Sequence, residues 1–453
     1  MGRMRPPTRA RWRTAAAVAV LALVTGCGVG DAEPPAPAAA APTELRPTRL
    51  AVPDNLAEDV FATPRDVLVP AGWTISLWAS VPGARLAAWA PDGALLVSRP
   101  EQGDITRLVA RADGGVAASV LLERLTQPHG MAFDDSTLYV AESNRIQAYD
   151  YADGAAERGR VVADGLPDAR SGELGGAFAH ALKSVAVDPD GAVYFSIGSS
   201  GNISAEDREA VPEAASILRV PPGGGPAEVF ARGVRNGTGL AVAPDGEVWT
   251  AVNGRDDIAY PFDRDYPGST GSAQGEVLES YVADHPAEPL ARLTPGRDLG
   301  WPYCNPDPDV EPGVPGTALD HSAPAYVPDI ETNPDGSALD CAALTPVEQS
   351  MGAHSAPLGL AFATDLPTYG TGALVGVHGS WNRVPPRAPE VAFFPYVGGE
   401  MGAQQTLVGG FQAADGSRWG RPVAAVQGPD GAVYVTDDDA GAVYRLAPPG
   451  VSR

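Results

Sequence analysis

The stretch Val185-Ala-Val-Asp-Pro-Asp-Gly-Ala-Val-Tyr-Phe195 reads as two short apolar strands around a tight turn. The aspartate of Pro-Asp-Gly caps such a turn through its side chain, and glycine accepts the positive φ that closes a hairpin. The unit recurs. Copies run Leu86–Val97, Gly130–Val140, Val185–Phe195, Leu240–Thr250, Leu360–Val375 and Val423–Val435. Pro-Asp-Gly begins at Pro91, Pro189, Pro244 and Pro429, while the second copy turns on Asp134-Asp135-Ser136 and the fifth on a longer loop, Thr364–Gly372. Successive second strands lie about 43, 55, 55, 126 and 59 residues apart, which is blade-sized spacing. The pattern predicts an all-β fold, a six-bladed β-propeller with long loop insertions. Residues 256 to 353 hold no obvious further copy and read as one insertion rich in Pro, Asp and Gly. A seventh cryptic blade or an eight-stranded barrel is the alternative.

Outward from the repeats, the two ends of the molecule differ in character. Arg3, Arg5, Arg9, Arg11 and Arg13 precede an apolar run from Ala15 to Val24. That run is too short for a permanent span and has the layout of a secretory signal. It ends at Val24-Thr25-Gly26-Cys27, so residues 1–26 are expected to be a lipoprotein signal peptide and Cys27 the lipidated first residue. Residues 27–48, mostly Ala, Pro and acids, read as a linker, and residues 49–453 as the propeller. With 53 Gly, 45 Pro and 44% hydrophobic residues, many short elements and turns are expected. The chain is thus expected to be exported and lipid-anchored to the outer face of the cell membrane, with no other membrane link.

A net charge of −24, more negative once the basic leader is gone, excludes nucleic acid and anionic lipid as partners. Beyond Cys27 the cysteines are Cys304 and Cys341, an even pair in an oxidising compartment, where a disulfide is expected. With so few soft ligands, a zinc site is not expected.

Residues just upstream of each first strand occupy equivalent places and gather near the channel on one face. They are Arg85, then Gln127 and His129, His180 and Lys183, Arg235 and Asn236, His354 and Ser355, and Arg421. Three of six histidines and the sole lysine share this position. Each alone reads as a structural side chain, but clustered buried cations repel unless an anion joins them. The ring predicts a small, multiply charged anionic ligand. Asn253-Gly254-Arg255-Asp256-Asp257 offers acids and carbonyls suited to Ca²⁺, or is simply a solvated acidic turn. Gly300-Trp-Pro302 and His378-Gly-Ser-Trp-Asn-Arg383 add aromatic surface near polar groups.

These motifs together carry a resemblance. Gln127-Pro-His-Gly-Met-Ala-Phe133, His180 with Ser196-Ile-Gly-Ser199, Arg235-Asn236, Asn253-Gly-Arg-Asp256, Gly300-Trp-Pro-Tyr-Cys304, His354-Ser-Ala-Pro-Leu-Gly-Leu-Ala-Phe362, His378-Gly-Ser-Trp-Asn-Arg383 and Trp419-Gly-Arg-Pro422 resemble the glucose/sorbosone dehydrogenase family, closest to its sorbosone-dehydrogenase-like branch. The likeness spans about residues 70 to 447. It implies a six-bladed propeller using pyrroloquinoline quinone, a tricarboxylate, and Ca²⁺. It implies His180 as general base, with Arg235 and Asn236 at the cofactor's reactive carbonyl. Gln127, His129, Lys183, His354, Arg383, Arg421 and Thr436 complete the cofactor-binding set. Gly254 and Arg255 would offer backbone oxygens to Ca²⁺, with Asp257 and Glu288 the acidic candidates. Trp419 stands where glucose-oxidising members place the first of two arginines, and Ile258 to Ala287 looks inserted.

The reading is an exported quinoprotein that oxidises the hydroxyl or hydrated aldehyde of a sugar-like substrate. Its partners would be that small molecule and an external electron acceptor, a quinone or a cytochrome. A metal-dependent propeller lactonase and a non-catalytic surface propeller binding another anion are the alternatives.

Overall fold

All six repeats fold as the innermost hairpin of a blade. In the computed structural model, which describes residues 44–168 and 180–451, the turn works as read: the amide of Ala94 donates to Asp92 Oδ1 at 3.2 Å and that of Ala432 to Asp430 Oδ1 at 3.1 Å. In the third copy Asp188, one residue before the Pro-Asp-Gly, takes the role instead. Gly93, Gly191, Gly246 and Gly431 all sit at positive φ, as the turn requires. The signal segment and Cys27 lie outside the described residues.

Blade one comprises Ala87–Trp89, Leu95–Arg99, Asp104–Ala110 and Val116–Leu122. Blade two runs Met131–Asp134, Thr137–Ala141, Arg145–Ala152 and Ala155–Asp164. Blade three uses Val185–Val187, Val193–Ile197, Ser216–Val220 and Glu228–Arg232. Blade four is Gly239–Val242, Val248–Ala251, Glu288–Leu293 and Gln349–Met351. Blade five is built on Pro357–Leu366, Gly370–Val377 and Glu390–Val397, with Glu400–Met401 and Gln405–Val408 at its edge. Blade six takes Pro422–Gln427, Val433–Asp437 and Ala442–Ala447 from the C-terminal part and Thr74–Ser80 from the N-terminal part. That last pairing is antiparallel, Thr74 opposite Ala447, and closes the ring.

Blade strands are buried on both faces, and the period of two explains how. Leu95 and Val97 enter the core between blades six and one, whereas Leu96 between them enters the core between blades one and two. Phe394 packs between blades four and five, and its neighbour Phe393 between five and six. Each blade interface owns one apolar cluster of this kind. Around the axis, Ala87, Met131, Val185, Leu240, Leu360 and Ala425 line a narrow channel together with Ser184 and Thr238.

Two boundaries differ from those expected. Residues 256–353 are not one insertion, because Glu288–Leu293 and Gln349–Met351 are the third and fourth strands of blade four. Two long loops flank the third strand instead. The first builds its own small core around Tyr260 and Tyr281. The second adds Arg297–Asp298 to the edge of blade three, forms a hairpin of Cys304–Asp307 with Ala325–Pro328, and carries the disulfide Cys304–Cys341. At the other boundary, Leu45–Arg49 pairs with Asp66–Pro70, so structure begins before residue 48.

Candidate active site

A blade hairpin brings the start of its first strand beside the end of its second. The mouth is therefore lined by two positions per blade: the residues upstream of the first strand, and those just after the second, such as Ser199, Asn253, His378 and Asp438.

His180 shows the pairing. Its Nδ1 lies 2.9 Å from Ser199 Oγ and 3.1 Å from Ser199 O. The hydroxyl hydrogen of Ser199 already donates to Gly201 O at 2.7 Å, so both groups accept from Nδ1. The proton therefore sits on Nδ1, and Nε2 carries the lone pair. Burial, reinforced by the positive charge of Arg235, lowers the His180 pKa to about 4. At neutral pH His180 is a free base.

Arg235 is 5% exposed and is clamped by backbone. Its guanidinium donates to Gly254 O at 2.6 Å and Asn253 O at 3.4 Å, and to Asn202 O at 3.1 Å and Asn202 Oδ1 at 3.0 Å. Burial lowers its pKa to about 10, so it stays charged. Asn202 also receives the Asp256 amide at 2.8 Å and donates to Asp256 O at 2.9 Å. Asn236 stands half-buried beside Gly198.

On the opposite side, Asp438 accepts from Arg85 at 2.6 Å and from His378 Nε2 at 2.8 Å. Burial works to raise this carboxyl, but the His378 and Arg85 contacts hold it well below the carboxylate range. Arg421 donates to His378 O at 3.0 Å, and burial plus nearby Arg418 lower its pKa. His129 is fully buried; its Nδ1 is 3.3 Å from Lys183 O, while Nε2 has no partner. Burial, and Arg85 beside it, push His129 down to about 3. Arg85 Nε is likewise buried and unpartnered. Gln127 stands half-buried at the blade-two mouth with φ 48°.

Other expected cofactor-binding side chains are committed to the scaffold. Lys183 Nζ donates to Pro167 O at 2.5 Å and Ala181 O at 3.0 Å, and burial lowers its pKa to about 7. Thr436 Oγ1 donates to Arg85 O at 2.5 Å and receives the Ala424 amide. His354 Nε2 meets Val282 O at 2.8 Å, with Asp256 3.5 Å from Nδ1. Arg383 pairs with Asp284 at 3.5 Å. Trp419 does not take an arginine's place in the site: it packs on Phe411 and Tyr444 and donates to Gly410 O at 2.9 Å. Arg418 beside it is the second cation next to Arg421.

The expected calcium ligands are drawn to other partners. The Arg235 guanidinium occupies Gly254 O, Arg255 is buried against Asp329 at 2.6 Å, and exposed Asp257 binds Asn382 at 2.6 Å. Glu288 accepts the Gly254 amide on Oε1 and the Ala356 amide on Oε2, both at 2.9 Å, and burial raises it to about 7. A fixed guanidinium thus already takes up Gly254 O, one of the two carbonyls expected to meet Ca²⁺. The anion side fits better. Two buried, unpartnered donors or acceptors and the cations Arg85, Arg235 and Arg421 suit a planar polyanion.

Fold and site define a six-bladed propeller of the type found in soluble quinone-dependent sugar dehydrogenases. The chain belongs to the TrAA12-like family, whose model matches residues 67–448. It is similar in structure to the holo form of the pyranose dehydrogenase PQQ domain of Coprinopsis cinerea, at 20% identity and TM-score 0.67, covering 84% of this chain and 97% of that one. The calcium structure of the family AA12 enzyme of Trichoderma reesei gives 19% identity and TM-score 0.66, with 84% and 96% covered. The PQQ-bound aldose sugar dehydrogenase of Streptomyces coelicolor gives 16% and 0.50, with 84% and 99% covered. Among curated proteins, an uncharacterized protein of Borreliella burgdorferi is 33% identical over 99 residues, which cover 21% of this chain and 26% of that protein's length.

Proposed function

We propose that the chain is an exported quinoprotein dehydrogenase that oxidises the hydroxyl or hydrated aldehyde of a sugar-like substrate, with His180 as general base. The carrying observation is the tautomer of His180: Ser199 accepts the Nδ1 proton and leaves Nε2 basic. Bound at the mouth, pyrroloquinoline quinone would supply a two-electron acceptor for the substrate's hydride. Arg85 and Arg421 would hold its carboxylates, with Gln127 alongside. His180 Nε2 takes the proton of the substrate hydroxyl. Arg235, fixed by four hydrogen bonds, needs no reorganisation to favour negative charge developing beside it. The substrate thus loses one hydride and one proton, so an aldose leaves as a lactone and a hydrated aldehyde as an acid. An external quinone or cytochrome would take the electrons onward, and a lipid on Cys27 would hold the enzyme at the outer membrane face.

Mixing the protein with pyrroloquinoline quinone and following dye reduction over a panel of aldoses tests the reading. Saturable, sugar-dependent reduction supports it; a cofactor titration that leaves the protein's absorption and melting temperature unmoved defeats it.

A further inference from the structure

Away from the mouth, the two long loops of blade four bury a second polar cluster between them. His285 is 3% exposed and Asp307 2%, and Asp309 adds its carboxylate beside them. One ligand atom from each lies within 4.8 Å of the others. Among the described residues it is the sole group of three or more His, Cys, Asp or Glu so placed.

His285 Nε2 stands 3.3 Å from Asp307 Oδ1 and 3.3 Å from Asp309 Oδ1, aligned for a hydrogen bond to neither. Asp307 Oδ2 is buried and also unpartnered. Ligand bonds of about 2.0–2.2 Å in a tetrahedral shell separate neighbouring ligand atoms by about 3.4 Å, close to the two distances from His285 Nε2. The ring is held for the task. Nδ1 donates to Tyr281 O at 2.9 Å, which turns the Nε2 lone pair toward the carboxylates, and Tyr281 stacks on the imidazole at 3.9 Å. The aspartates are oriented too: Asp307 Oδ1 accepts the Asp309 amide at 2.9 Å, and Asp309 Oδ2 the Gly313 amide at 3.3 Å.

Charge completes the case. Among the described residues no arginine or lysine pairs with either aspartate. Two buried carboxylates thus face no cation other than the His285 ring, and one divalent ion offsets their charge. We propose that His285, Asp307 and Asp309 bind a divalent transition metal of the Zn²⁺ class. Imidazole nitrogen with two carboxylate oxygens suits such an ion better than Ca²⁺, which takes six to eight oxygens. Scarce cysteine rules out a thiolate zinc site, but this donor set needs no thiolate. The ion pins residues 281–288 to the disulfide-bearing hairpin. From that segment Glu288 reaches Gly254 and Val282 meets His354, so the metal braces one wall of the mouth. It is a structural site, and it stands apart from any oxidation chemistry.

The test uses the full chain stripped with EDTA, loaded with Zn²⁺ and passed through gel filtration, with metal counted by mass spectrometry. One equivalent is expected to remain, to survive a 100-fold excess of Ca²⁺, and to be lost in His285→Gln and Asp307→Asn. Co²⁺ loaded instead should give the visible d–d bands of a low-coordinate site in the unmodified chain, so the test survives misfolding of a variant. Failure to retain Zn²⁺, its displacement by Ca²⁺, or full retention in folded His285→Gln overturns the proposal. No cofactor or sugar enters these measurements, so they are separate from the dehydrogenase reading.

Discussion

His180 Nδ1 and Ser199 meet twice, at 2.9 Å to the hydroxyl and 3.1 Å to the carbonyl. Because Ser199 Oγ is already spent as a donor on Gly201 O, it acts on His180 as an acceptor. The serine thereby decides which imidazole nitrogen carries the lone pair. Its amide in turn donates to Arg235 O at 2.7 Å, so His180 and Arg235 are held by one residue.

Removing the imidazole should stop proton transfer and leave anion binding. His180→Ala is expected to lower kcat by about 10²–10⁴-fold with cofactor affinity changed only slightly. Steady-state kinetics beside a cofactor titration measures both. The wild-type rate should hold through pH 5 and fall as pH drops through about 4, where burial and Arg235 place the His180 pKa.

His129 makes acid stability a second readout. Its pKa is depressed from 6.5 to about 3 by burial and Arg85, so the unfolded chain takes up its proton first as pH falls. The stability it contributes is complete above about pH 6.5 and is lost progressively toward pH 3. Melting curves of the cofactor-free protein should decline below pH 6.5. His129→Gln should flatten that decline, and an unchanged slope would count against the assignment.

Glu288 is a clamp whose two oxygens accept two different loops. Glu288→Gln turns one acceptor into a donor facing an amide N–H, at about 1–3 kcal/mol for the buried mismatch. Chemical denaturation should show that loss. Weaker cofactor binding should accompany it, since Gly254 carries the contact to Arg235.

The Cys304–Cys341 bridge closes a sequence separation of 37. Chain entropy for such a loop is worth about 3–4 kcal/mol. Replacing both cysteines by serine should lower unfolding stability by roughly that amount, read from denaturant midpoints.

The blades were legible in the sequence because each inner hairpin is local, with its turn chemistry inside some ten residues. Closure of the ring by Thr74–Ser80 on Ala442–Ala447 and the outer strands of blade four were not, since they pair across the chain or across long loops. The same holds at the mouth. His180, Arg235 and Arg421 precede first strands and share one repeat position. Asp438, Asn202 and Ser199 follow second strands, a position of equal geometric value that repeats with different residue types. Lys183 shares the ring in sequence and Thr436 is implied by the resemblance, yet their side chains turn to backbone carbonyls, which position alone does not reveal. His285 and Asp307 lie in unrelated loops with no period to connect them.

The central claim is redox chemistry at this mouth, and the most direct measurement is an absorption spectrum. Protein saturated with pyrroloquinoline quinone is expected to show a bound-cofactor spectrum that converts to the reduced form within seconds of adding an oxidisable aldose. The His180→Ala protein should bind the cofactor and remain oxidised. A spectrum identical to free cofactor, or reduction that proceeds equally well without His180, would contradict the account.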